Sequence, residues 1–66
     1  MKVYVVTVGY EYYATFSTEN LARAFIQEMI NEQVEEIIDY CEFTNNDVTT
    51  IKVNGTTYRI WEEKVI

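Results

Sequence analysis

Glu28, Glu32, Glu35, Asp39 and Glu42 recur at steps of four, three, four and three. On a helix that spacing sets five carboxylates in one line, with Glu36 beside it. Such neighbours lie about 5–6 Å apart, comparable in scale to the phosphate repeat of a nucleic-acid strand. A rod of this charge suits docking on a basic, nucleic-acid-binding surface, whose lysines and arginines would be its partners, and it is a candidate DNA mimic. The plainer reading is the solvated side of an amphipathic helix. Two details favour a working surface. Like charges at i,i+4 destabilise a helix by a few tenths of a kcal/mol and are not relieved here by alternating lysines. Several also fall toward the C-terminal end, where the helix dipole disfavours negative charge.

Aromatic residues form the second group. Tyr4, Tyr10, Tyr12, Tyr13, Tyr40, Tyr58 and Trp61 are too many for one core layer in a 66-residue chain. Some must line an exposed sheet face, as cross-strand pairs or as anchors for a partner, including a second copy. Tyr40 and Trp61 join the six carboxylates as candidate partner-binding residues.

Catalysis is disfavoured. The chain has no histidine and one cysteine, which excludes the usual zinc and copper sites and nucleophile–histidine chemistry. Gly9 and Gly55 are the only glycines, and each is needed in a turn, which leaves none for a phosphate loop. Paired carboxylates could hold Mg²⁺ or move protons, but on a convex helix they lack walls that would shift their pKa values apart. The expectation is a protein that is not an enzyme, with no catalytic residue, no metal site and no cofactor.

Eleven acidic residues against five basic ones give a formal charge of −6. Direct nucleic-acid binding and anionic membranes are disfavoured, because both call for lysine and arginine. The lone Cys41 permits no intrachain disulfide, and no signal-peptide or membrane-spanning pattern is present. A soluble, cytoplasmic protein is expected.

The elements that position these residues follow from local signals. Lys2 to Val8 is β-branched and aromatic, apolar on both faces, and reads as a strand. Gly9-Tyr10-Glu11 turns the chain into a second strand, Tyr12 to Phe16. Ser17 is placed as the helix cap, with Glu19 in the first turn and Phe16 and Leu21 as a hydrophobic staple. The helix is read from Thr18 to Glu42. Leu21, Ala22, Phe25 and Met29 line one side of it, and Ile26, Ile30, Val34, Ile37 and Cys41 follow a second line. Either one helix carries a broad stripe or the chain kinks or breaks near Asn31-Glu32-Gln33. The continuous form is favoured, because the acidic line stays in register across that point. Unbroken, it would run close to 37 Å and overhang a six-residue strand of about 20 Å. Thr44 to Asp47 reads as a turn. Asn54-Gly55 marks a type I′ hairpin between Thr49–Val53 and Thr56–Trp61. Ile51, Val53, Tyr58 and Ile60 face the core, and Lys52, Arg59 and Trp61 point away from it.

The order is β-β-α-β-β, an α+β domain spanning 1–66 as a single unit. One long helix packs on a four-stranded antiparallel sheet.

At Val3-Tyr4-Val5-Val6, Phe16-Ser17-Thr18 and Ala22 to Ile26 the chain resembles a group of very short, mostly uncharacterised phage and bacterial proteins. Their pattern is an opening strand, a hairpin and a helix capped after F-S-T. The second half departs from the short ending of that group. The resemblance implies a phage or mobile-element setting, hence the host cytoplasm, and no activity of its own. Small acidic phage proteins bind and block host or defence proteins, which by analogy suggests an inhibitor that docks its acidic helix on a basic target. The alternative is a structural or oligomerisation module whose exposed aromatic sheet face forms a homodimer.

Overall fold

The computed structural model describes residues 1–65 and gives the order β1 (Lys2–Val8), β2 (Glu11–Phe16), α1 (Glu19–Gln33), β3 (Tyr40–Asn45), β4 (Val48–Val53), β5 (Thr56–Lys64). The fold is α+β, with one helix on an antiparallel sheet. The sheet has five strands in the order β2-β1-β5-β4-β3 rather than four. The additional strand comes from the second half of the expected helix.

α1 is 15 residues long and ends at Gln33. Val34 is extended (φ −122°, ψ 116°), and its N–H still donates to the Ile30 carbonyl. The continuous helix to Glu42 is therefore overturned, and the break near Asn31-Glu32-Gln33 is the form the chain takes. Three local terms combine to stop it. Glu32 would face Glu28 and Glu36 at i,i+4, and the last turn carries no basic residue to answer the helix dipole. Beyond it Val34, Ile37 and Ile38 are β-branched and prefer extended backbone. Tyr40–Asn45 then gains a full ladder against β4, from Tyr40↔Val53 to Asn45↔Val48.

The link between α1 and β3 is held by one side chain. Asn54 Oδ1 accepts from the backbone N–H groups of Ile38 (2.8 Å) and Asp39 (3.0 Å). Its Nδ2 donates to the Glu36 carbonyl at 2.8 Å. The Asn54 N–H also donates to the Asp39 carbonyl at 2.9 Å, which carries the β3–β4 ladder one step past Tyr40. Asn54 (φ 49°) and Gly55 (φ 86°) both take the positive φ of the expected type I′ turn. Asn54 thus turns the hairpin with its backbone and fastens the preceding link with its amide.

The core lies between α1 and the sheet. Ala22, Ile26, Met29 and Ile30 pack on Val6, Ile51, Val53, Tyr58 and Ile60. The four β4 and β5 residues expected inside are all buried, and Lys52 and Trp61 project from the other face. Other expectations are corrected. Leu21 is 51% exposed, while Phe16 packs on Phe25 with ring centroids 5.3 Å apart. The staple geometry fails because the cap is Thr18, not Ser17: its hydroxyl accepts from the Leu21 N–H at 3.2 Å. Ile37 and Cys41 leave the core line for the exposed link and β3. Thr44 and Asn45 belong to β3, so the turn contracts to Asn46-Asp47, with Asn46 at φ 57°.

Substituting Asn54 by glycine keeps the turn geometry and removes three hydrogen bonds. Asn54→Gly is expected to lower stability by about 1–2 kcal/mol, since exposed bonds sit at the low end of the usual range. Amide exchange at Ile38 and Asp39 should quicken more than exchange in β1 and β5, as read by NMR.

Candidate protein-docking surface

The acidic residues occupy three different elements. Glu28 and Glu32 sit one turn apart on α1, Glu35, Glu36 and Asp39 lie on the link, and Glu42 is in β3. The single helical line of five is therefore broken: Glu28 and Glu32 flank the β2 side of α1 beside Tyr13 and Phe25, three acids lie on the link, and Glu42 sits at the other edge of the sheet against Arg23. Glu28, Glu32, Glu35, Glu36 and Asp39 are all exposed, and none enters an ion pair among the described residues.

Glu42 is different. Its side chain lies on the helix side of the sheet, opposite Ile51, where Arg23 Nη1 reaches its carboxylate at 3.1 Å. The Tyr40 hydroxyl donates to its other oxygen at 2.9 Å. The bond from Tyr40, together with the Arg23 charge, lowers the Glu42 pKa, and the same bond raises that of Tyr40. Arg23 also binds Glu19 at 2.9 Å, and this bond is the main reason its pKa is raised. Glu42 and Tyr40 thus form part of a tie between α1 and β3.

The link itself presents apolar residues among the carboxylates. In Glu35-Glu36-Ile37-Ile38-Asp39, Ile37 is 52% and Ile38 83% exposed. Two adjacent exposed isoleucines held by a fixed backbone form a small apolar patch bordered by carboxylates. Nearby, a groove of about 380 Å³ runs between α1 and β2, lined by Tyr13, Phe25 and Met29 with Glu28, Glu32 and Gln33 beside them.

The second exposed surface is the sheet face away from α1. Strand alternation and register place Val3, Val5 and Thr7 there with Tyr12, Phe43, Val48, Thr50, Arg59 and Trp61. Trp61 lies between Val5 and Val48, and its indole N–H donates to Thr7 Oγ1 at 2.8 Å. Tyr12 bonds Thr15 across 2.8 Å on the same face. The expectation of aromatics on an open face thus holds for Tyr12 and Trp61. Tyr58 is buried by the core, which with the Tyr13 charge raises its pKa. Tyr40 and Trp61, paired as candidates from the sequence, fall on opposite faces.

Sequence reasoning missed Ile37, Ile38 and Phe43. For Phe43 the signal was the alternation of Cys41, Phe43 and Asn45 with Tyr40, Glu42 and Thr44, visible only once 40–45 is read at period two; for Ile37 and Ile38 it was their β-branched character, which prefers extended backbone. Among the described residues no group of three or more acidic or cysteine side chains is arranged to hold a metal ion. Among the same residues no helix is long and apolar enough to cross a membrane. Comparison with protein-family models, curated proteins and solved structures returns no match.

The tie predicts a pH effect. A lowered carboxyl pKa stabilises the fold above the ordinary glutamate range, and that stability is lost as pH falls through the lowered value. Wild type should therefore exceed Glu42→Gln by about 0.5–1 kcal/mol at neutral pH. Denaturant titrations should show that gap closing as the solution is made acidic.

Proposed function

We propose that the protein is a non-enzymatic binding protein that docks the acidic, isoleucine-bearing passage from α1 to β3 on a basic protein surface. The observation that carries this reading is the pinned link, in which Ile37 and Ile38 stand among carboxylates with no ion-pair partners. An apolar centre with a charged rim is the usual anatomy of a protein interface. The rim charges speed encounter with a basic target, and the isoleucines supply buried area. Asn54 holds the link in place, so little order has to be imposed on binding. Glu32 precedes the link at the end of α1, and Tyr40 and Glu42 follow it into β3. The resemblance to phage proteins makes a host or defence protein the target class, with the protein acting as an inhibitor in the host cytoplasm.

A second reading rests on a different observation. Trp61, Phe43, Val5 and Val48 share the uncovered sheet face, where Trp61 is 37% and Phe43 47% exposed. This face would bury itself in a homodimer, with the acids serving solubility.

Capture from a host lysate separates the two. The variant Glu32→Lys/Glu35→Lys/Glu36→Lys changes exposed side chains outside any ion pair and should keep the fold. Proteins retained by wild type at low salt and released as salt rises should be lost by this variant. Ile37→Ser/Ile38→Ser should weaken the same binding about tenfold or more. A captured set unchanged by the charge reversal would refute the leading reading. Sedimentation tests the second reading: a strict monomer at high micromolar concentration excludes it, and a dimer dispersed by Phe43→Glu supports it.

A further inference from the structure

β3 ends the sheet, and its outer edge is open. The phase of its hydrogen bonding is fixed by the Asp39 carbonyl, which accepts from Asn54 at the start of the β4 ladder. In an antiparallel pair the bonded residues alternate. Asp39, Cys41, Phe43 and Asn45 therefore direct their backbone groups at β4, and Tyr40, Glu42 and Thr44 direct theirs off the edge. All six residues of β3 are exposed, and the strand pairs with β4 in unbroken register. The opposite edge differs, because β2 has a register shift against β1 between Val6 and Thr7 that disrupts its ladder. β3 has no bulge, no proline and no lysine to guard its free edge, and its one charged side chain, Glu42, is already answered by Arg23.

We infer that the β3 edge is a strand-addition site for an extended, lysine- or arginine-bearing segment of the partner. This rests on the basic partner proposed above and names how it is held. Charge selects the occupant. Glu35, Glu36 and Asp39 lead into the strand and Asp47 follows it; Arg23 is already held by Glu19 and Glu42, and Lys52 stands opposite Cys41 on β4, on the other face from Glu42. A second copy adds another −6 and offers a β3 with no cation to answer those acids. An added basic strand pairs its backbone with Tyr40, Glu42 and Thr44. Its alternate side chains lie on the Glu42 face and on the face shared by Asp39 and Phe43.

The probe is a blocked hexapeptide, Lys-Val repeated three times, added to the isotope-labelled protein. The amides of Tyr40, Glu42 and Thr44 should gain about tenfold protection from exchange. The same peptide N-methylated at every residue keeps its charge, loses its donors and should not protect them. Thr44→Pro removes an outward-facing donor, leaving the backbone ladder to β4 but losing the Thr44–Thr49 hydroxyl bond, and it should weaken binding at least tenfold where Thr44→Val, which loses only that hydroxyl bond, does not. The inference is overturned if the N-methylated peptide binds equally well, or if protection centres on Trp61 instead. It is also overturned if Tyr40, Glu42 and Thr44 become protected with protein concentration alone, which would make the occupant a second copy. If the peptide binds in a salt-sensitive way that Glu32→Lys/Glu35→Lys/Glu36→Lys abolishes, yet the edge stays unprotected, the basic-partner reading stands and strand addition falls.

Discussion

The amide of Asn54 is the contact on which the arrangement of the second half depends. Two donors from Ile38 and Asp39 and one acceptor from Glu36 meet on a single side chain that also sits at the tip of the β4–β5 hairpin. A link of six residues between a helix and a strand would otherwise be free to sample many paths. Closing it at Asn54 sets where β3 begins, and the register with β4 follows from the first bond at Asp39. Only a residue that tolerates positive φ and carries both a donor and an acceptor serves all of these contacts. Aspartate would lose the donor, and glycine would lose all three side-chain bonds.

That closure explains why so much of this small protein is displayed. A helix of 15 residues is about 22 Å long, and it packs chiefly over β1, β2 and β5. β4 still reaches the core through Ile51 and Val53, but β3 beyond it is exposed along its whole length. Among the described residues no helix covers the other face of the sheet. The carboxylates fall where the structure is least covered, with the isoleucines of the link among them. Where an acid does reach the core side, as Glu42 does, it is answered by Arg23 and Tyr40.

How far the sequence could be read depended on which signals were local. The β1–β2 hairpin, the start of α1 within one residue and the Asn54-Gly55 turn rest on neighbours in the chain, and they were legible. So was the inward set Ile51, Val53, Tyr58 and Ile60, because strand alternation around a known turn fixes it. The span from Val34 to Asn45 was not. Its apolar residues fit a helical stripe about as well as a strand, and the deciding contacts are Asn54 and β4, remote in sequence. Reading it as helix placed Glu35, Asp39 and Glu42 in one line with Glu28 and Glu32, and it hid Ile38 and Phe43. The acidic character of the surface survived that error because composition and exposure do not depend on the path; its shape did not survive.

The passage from helix to strand after Gln33 can be observed directly in solution by nuclear Overhauser contacts between backbone protons. Cross-strand contacts joining Cys41 to Lys52 and Phe43 to Thr50, with strong Hα-to-next-amide contacts from Tyr40 to Asn45, are what this structure requires. A continuous run of sequential amide–amide contacts from Glu19 through Glu42 would mean that the helix does not end. The link, the β3 edge and the surface built from them would then not exist.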